Sequence, residues 1–335
     1  MPELRQDPAT KQWVIIARER AKRPHDFIKL AGAPPLPEYK GDCPFCLGNE
    51  SMTPPETMAY REGGPSNGPG WWVRVVPNKF SALVPEGSIS RREEDSLFRK
   101  MDGVGQHEVI IESPKHNQCI ALMETRQVEE ILLAYRERYL ALREDPRFKL
   151  IIIFKNHGRA AGTSLEHPHS QLVATPIVPL TIRHRFEKAA SHFDDNGTCV
   201  YCDLIREGLR VPTRLIQETD RFITFHPFAS RWPFETWIMP KKHRSSFGDA
   251  SVEELENLAP VLRSVLGALQ QKLGDPDYNF VVHSAPTKNS VKPYFQWHVQ
   301  IVPRLTTAAG FEIGSGMYIN TAIPEETAAF IRDDG

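Results

Sequence analysis

One order of features occurs twice in this chain. In the first half, Cys43-Pro-Phe-Cys46 precedes Arg74-Val-Val-Pro-Asn-Lys-Phe80 and then His107-Glu-Val-Ile-Ile-Glu-Ser-Pro-Lys-His116. In the second, Cys199-Val-Tyr-Cys202 precedes Arg221-Phe-Ile-Thr-Phe-His-Pro-Phe228 and then Phe234-Glu-Thr-Trp-Ile-Met-Pro-Lys-Lys-His243. An ordered repeat of this kind means one supersecondary unit built twice. The 335 residues suit that reading, because one hydrophobic core rarely serves so long a chain.

Each half then enters a helical pattern. After Thr125, read as an N-cap, Val128, Ile131, Leu132, Tyr135, Tyr139 and Leu142 keep to one face of a 3.6-residue period. The counterpart opens with Ser251 and Glu254 as a capping box and runs through Leu255, Leu258, Val261, Leu262, Val265, Leu266 and Leu269. Buried strands follow at 150–154 and 279–282, and a last strand in each half carries His167-Pro-His169-Ser-Gln171 or His298-Val-Gln300. Strands with short connections and a helix on one side predict an α+β fold with largely antiparallel sheet. The expected division is 1–180 and 181–335, joined where Pro176 to Asn196 turn from Pro-rich to basic and polar sequence. The Pro- and Gly-rich stretches 31–42 and 62–70 read as surface loops.

With 41 basic and 42 acidic side chains, no global field draws nucleic acid or anionic membrane to the chain. No leader-like N-terminus or long apolar run is evident, so a cytoplasmic location is expected. Any anion must be held by a local cluster.

Two Cys-x-x-Cys pairs in that setting suggest metal or redox chemistry. A thioredoxin-like motif expects a strand before and a helix after, and neither pair is placed so. A nucleic-acid zinc ribbon lacks its basic face. Zinc prefers four thiolate or imidazole donors in a tetrahedron. Cys43, Cys46, His116 and His167 are expected to form one site, and Cys199, Cys202, His243 and His298 a second. Cys119 stands alone, as a small residue without a role.

The segment Asn156-His-Gly-Arg-Ala-Ala-Gly-Thr-Ser164-Leu-Glu-His167-Pro-His169-Ser-Gln171 is the most specific. If 167–171 is extended, His167, His169 and Gln171 share one face. Small residues before them let backbone N–H groups approach an anion. A neutral imidazole whose other nitrogen is held as a donor is a competent phosphorus nucleophile. Gln171, Ser164, Asn156 and loop amides suit the charge that develops on phosphoryl oxygens. The second half reads His298-Val-Gln300 against His167-Pro-His169, which keeps a metal ligand and loses the nucleophile. One active and one structural half are therefore expected.

These residues resemble the galactose-1-phosphate uridylyltransferase family, a branch of the histidine-triad superfamily with two fused triad-like domains. The likeness runs from Arg5-Gln-Asp-Pro through Phe311-Glu-Ile-Gly. It implies that His169 carries a covalent uridylyl group and that Gln171 contacts its phosphate. It also implies phosphate contacts from Ser164 and Asn156, basic residues Arg20 and Arg23 near the diphosphate, and a nucleoside held at Asn78 and Phe80. Phe311 falls near the hexose. The implied reaction is ping-pong: UDP-glucose and galactose 1-phosphate become glucose 1-phosphate and UDP-galactose in a zinc-bearing homodimer whose partner subunit lends residues to the site.

The sequence departs from that pattern at Gly310 and Gly316, where a lysine and a glutamate are expected, and at Lys79 in place of an aspartate. Gly310-Phe311-Glu312-Ile313-Gly314 resembles instead a plant branch described as ADP-glucose phosphorylase, which uses an adenylylated histidine and phosphate. Pro168 stands where that branch is expected to hold Ser. A nucleotide-binding or hydrolysing triad protein, and a zinc-stabilised interaction module, are the other classes left open.

Overall fold

The structure, a computed structural model, describes residues 1–18, 22–29, 35–287 and 292–332. In chain order the strands and helices are β1 (Glu3–Gln6), β2 (Trp13–Ile16), β3 (Met58–Arg61), β4 (Trp71–Pro77), β5 (Arg92–Glu94), β6 (Phe98–Lys100), β7 (Gln106–Ile111), α1 (Thr125–Arg143), β8 (Leu150–His157), β9 (His169–Thr175), α2 (Leu180–Asn196) and α3 (Val200–Arg210). There follow β10 (Leu215–Glu218), β11 (Phe222–Phe225), β12 (Thr236–Pro240), α4 (Val252–Leu273), β13 (Tyr278–His283), β14 (His298–Pro303), α5 (Gly310–Ser315), β15 (Tyr318–Asn320) and α6 (Pro324–Arg332).

Among the described residues, ten strands form one sheet in the order β10-β11-β12-β14-β13-β8-β9-β7-β4-β3, and every neighbouring pair is antiparallel. The order reads the same from either edge once β3, β4, β7, β8 and β9 are matched to β10, β11, β12, β13 and β14. The repeat is thus a pseudo-twofold whose axis lies between β8 and β13, paired from Tyr278 opposite His157 to Val282 opposite Ile153. A smaller sheet joins β1 and β2 to β15, so the chain's first strands are completed by its last.

Alternation along the strands gives the sheet two unlike faces. Ile110, Ile151, Ile153, Leu172 and Ala174 point to the face covered by α1 and α4, into a core shared with Val128, Ile131, Tyr135, Leu258, Leu262 and Leu266. Helix α4 starts as its sequence predicts, with Ser251 Oγ accepting from the Glu254 N–H at 3.2 Å and Glu254 Oε2 accepting from the Ser251 N–H at 2.9 Å. Helix α1 differs in detail: Thr125 is its first residue and Glu124 occupies the cap without a side-chain bond. Within the presumed joint, residues 180–196 are the helix α2, stopped by Gly197 at φ 68°.

The opposite face is covered unequally. In the second half α3 packs Tyr201 and Ile205 against Ile223, Phe225, Trp237, Met239 and Phe295. Among the described residues the first half carries no such helix, but a small cluster of Cys43, Phe45, Cys46, Trp71, Val76, Val109 and Ile111. The functional side chains of β8 and β9 therefore open on this face. No described helix is long and apolar enough to cross a membrane.

Candidate active site and metal centres

His169 opens β9 directly opposite Ile111 of β7. Its Nδ1 lies 2.8 Å from the carbonyl oxygen of His167. A carbonyl only accepts, so this contact fixes the proton on Nδ1 and leaves the lone pair on Nε2. Burial pushes the imidazole below its ordinary value of 6.5, against the pull of the His167 carbonyl. The ring is neutral at pH 7, and Phe45 packs edge-on against it with centroids 5.4 Å apart. It keeps 7% of its surface exposed.

The expected alternation holds. Gln171 lies on the same face as His169, and its side-chain oxygen is 2.8 Å from His107 Nε2. The same nitrogen is 3.1 Å from the amide of Asn78, which also accepts the Phe80 N–H at 2.9 Å. His107 Nε2–H thus donates to Gln171, with Asn78 packed beside it, a role the sequence did not reveal, although His107 shares a face of β7 with Val109. Phe80 projects with 87% exposure. On β8, Phe154 pairs with Gln171, and continuing that register by two residues brings Asn156 opposite His169. Asn156 Oδ1 accepts from Asn279 of β13, 2.8 Å away.

The loop between β8 and β9 carries exposed Ser164. Gly158 makes its turn, with φ 81°, and a Cβ there would lie 2.3 Å from the Asp277 carboxyl carbon. Asp277 instead holds the loop by accepting the Ala160 N–H at 2.6 Å. Among the described residues no hydrogen bond, ion pair or ring contact joins Arg23 or Phe311 to His169. Lys22 is tied to Thr321 and Phe311 sits on α5, 49% exposed. Arg20 lies outside the described residues.

Beneath the strand, on the helix-covered face, Lys155 Nζ lies 2.6 Å from Glu112 Oε2 and donates to the His169 carbonyl at 3.1 Å. Glu112 also accepts from Ser170 and, at 3.2 Å, from Tyr135. All four side chains are buried. They fix β9 on the side that substrate cannot reach.

Cys43, Cys46, His116 and His167 place one donor atom each within 4.8 Å of one another, and all four are buried. Cys46 Sγ is 3.6 Å from Nδ1 of both histidines. His167 Nε2–H donates to the Ser113 carbonyl at 2.7 Å, which leaves Nδ1 free to ligate. Burial pushes His167 down to about 3 and the Cys43 thiol up to about 11. Two buried thiols and two neutral imidazoles, converging on one point, fit a tetrahedral cation.

The second group differs from expectation. Cys199, Cys202 and His243 converge within 4.8 Å, but His298 does not join them. The sheet register explains why. Gln171 lies between Val109 and Phe154, and Gln300 lies between Trp237 and Val281. Counting back, His298 matches His169, and Gln296 takes the place of His167. His298 Nδ1–H even repeats the bond to the carbonyl two residues earlier, at 3.0 Å. The second half has therefore kept an imidazole at the position of His169 and lost the one at the position of His167, the reverse of the sequence reading.

That echo is sealed. His298 stacks on Trp237 at 4.7 Å and on His283 at 4.8 Å, beside Tyr201, with no exposed surface. Next to it Arg185 donates to His283 Nδ1 at 2.9 Å, His283 Nε2–H to Gln300 at 2.7 Å, and Gln300 to Glu235 at 2.7 Å. This internally satisfied chain leaves His283 neutral and leaves no room for substrate.

A sequence profile described as "Galactose-1-phosphate uridyl transferase, N-terminal domain" matches residues 1–179, and one of a domain of unknown function matches 128–333. An ADP-glucose phosphorylase from Arabidopsis thaliana is 37% identical over 99% of this chain and 93% of its own. A galactose-1-phosphate uridylyltransferase from Thermotoga maritima is 29% identical over 99% and 98%. The crystal structure of an Arabidopsis thaliana ADP-glucose phosphorylase with bound ADP-glucose superposes with a TM-score of 0.83 over 100% of both chains at 34% identity. A uridylyltransferase structure gives 0.76 over 99% and 97% at 28% identity. On the matched profile and these full-length relatives, the chain belongs to the galactose-1-phosphate uridylyltransferase family, whose members transfer nucleotidyl groups.

Proposed function

We propose that this protein transfers a nucleotidyl group from a nucleotide sugar through His169, and that the nucleotide is adenylyl. The observation that carries the transfer is the bond from His169 Nδ1–H to the His167 carbonyl, which reserves Nε2 for attack. Nε2 attacks the α-phosphorus of the donor; a P–N bond forms, the P–O bond to the sugar phosphate breaks, and glucose 1-phosphate leaves. Gln171, positioned by His107, donates to the phosphoryl oxygens where charge develops, with Asn156 and Ser164 at the rim. An acceptor phosphate oxygen then attacks the adduct and restores neutral His169, giving ADP.

The choice of adenylyl is supported by the greater identity to the phosphorylase, 37% against 29%, and by Gly310 and Gly316 in place of charged hexose contacts. The uridylyl reading that the family resemblance implies, with galactose 1-phosphate as acceptor, is supported by the profile over 1–179 and is the second choice. Zinc is proposed for both Cys/His groups. In the first, Cys43, Cys46, His116 and His167 would hold it and anchor the residue two places before the nucleophile; its charge would stabilise the thiolates. The division at residue 180 and a homodimer, across which Arg20, Arg23 and Phe311 would complete the site, belong to the same proposal.

The protein is incubated separately with ADP-glucose and UDP-glucose and its intact mass recorded before and after mild acid. An acid-labile adenylyl adduct, absent from His169→Asn and discharged as ADP by phosphate, is expected. A uridylyl adduct alone reverses the choice of base, and undiminished turnover in His169→Asn removes the mechanism.

A further inference from the structure

We propose that the second metal centre has only three protein ligands, Cys199, Cys202 and His243, and an open fourth position that accepts a small thiolate from solution. This rests on the reading that both Cys/His groups bind metal. Three observations carry it.

The first is the spent ligand. Gln296 occupies the place of His167 in the repeat, and its amide is committed on both ends to the segment around His243. The oxygen accepts the Arg244 N–H at 2.8 Å, and the nitrogen donates to the carbonyls of Lys242, at 3.0 Å, and Pro240. Where His167 spends one nitrogen on the Ser113 carbonyl and keeps the other for metal, Gln296 keeps nothing. It fixes the loop that presents His243 without ligating.

The second is that no other described residue fills the gap. Within the described residues no further His, Cys, Asp or Glu joins the group. Asp203, close in sequence, is occupied by His192 and Thr198, each at 2.8 Å, and by Arg206.

The third is exposure. The first group is fully buried, whereas Cys202 is half-buried and His243 exposed. Cys199, Cys202 and His243 line a cleft of about 490 Å³ with Thr198, Arg206 and Pro293. A closed tetrahedron marks a structural site, and an open position admits an exogenous donor. Two thiolates and one imidazole make a soft site, so among small donors a thiolate completes it best, with water the default occupant.

The full chain loaded with cobalt(II) tests this. Two cobalt ions per chain are expected, the visible bands of one responding saturably to 2-mercaptoethanol while the other, in the closed site, stays fixed as an internal reference. Cys202→Ser should abolish the response. Gln296→His should restore a fourth protein ligand and weaken the thiol response by about ten-fold or more. In the unaltered protein, a chromogenic chelator should remove one ion at least about ten-fold faster than the other. Two bound ions with no thiol response and equal release rates overturn the open position while leaving two metal centres. One ion per chain, unchanged in Cys202→Ser, overturns the two-metal reading itself.

Discussion

Removing the ammonium of Lys155 isolates a carboxylate that the fold has no other means to neutralise. Glu112 is fully buried, its Oε2 is 2.6 Å from Lys155 Nζ, and its remaining donors are the Ser170 and Tyr135 hydroxyls. Breaking a buried pair from one side costs about 3–5 kcal/mol, because the surviving charge stays desolvated. Two hydroxyl donors soften that loss, so Lys155→Met is expected to cost about 3 kcal/mol. With a urea m-value of roughly 3 kcal/mol/M, the midpoint falls by about 1 M. Lys155→Met/Glu112→Gln removes both charges and should recover much of it, giving a coupling of about 2 kcal/mol in a double-mutant cycle. Urea melts of metal-saturated protein at pH 7 measure all four corners. Additivity within about 0.5 kcal/mol would mean that the pair is not coupled and that the reasoning is wrong. Since the same ammonium holds the His169 carbonyl at 3.1 Å, formation of the nucleotidyl adduct should slow by about ten-fold in Lys155→Met.

Other perturbations reach different parts of the molecule. His107→Leu frees Gln171, and adduct formation in single-turnover assays should drop by about ten-fold or more with little change in melting temperature. Gly158→Ala forces a Cβ against Asp277 at a positive φ and should cost about 2 kcal/mol by urea denaturation; an unaffected midpoint would contradict the turn geometry. His226 is fully buried with its Nδ1 2.8 Å from Thr327 Oγ1, and burial lowers it from 6.5 to about 3. Its folded value is below its unfolded one, so its contribution is complete above pH 6.5 and is lost as pH falls toward 3, at about 1.4 kcal/mol per pH unit. His226→Gln should flatten the decline of stability between pH 6 and pH 4 by that slope, and an unchanged slope would count against it. Chelation at neutral pH should lower the urea midpoint of the unaltered protein more than that of Cys46→Ser, which has already lost a ligand of the buried site.

The repeat made the architecture readable from sequence, because each half needs the same apolar periodicities to cover the same sheet. That His169 and Gln171 share a face, and that Cys43, Cys46, His116 and His167 converge, was readable too, since alternation on an extended strand and a Cys-x-x-Cys pair impose geometry locally. What the sequence concealed was register. Matching His298 to His167 by residue type is natural when a ladder is not in view, yet pairing to Trp237 and Val281 sets the alignment two residues away. Identity of side chain proved a weaker guide than strand position, because a two-residue shift keeps the same face and so leaves no mark on the hydrophobic pattern. Gln296, apolar in surroundings and unremarkable in sequence, could be recognised only by what it bonds. The buried Lys155 and Glu112 were concealed for a related reason: they lie on different strands and meet only through the fold.

The ladder between β8 and β13 gives the silent half its reason to persist. Five residue pairs there close what would otherwise be the raw border of the half that carries His169. Severed at this seam, the half bearing His169 would offer its unpaired amides to any passing strand, including its own copies. The C-terminal half, though its imidazole is walled in, acts as a permanently tethered neighbour that keeps the strands around His169 covered and in register.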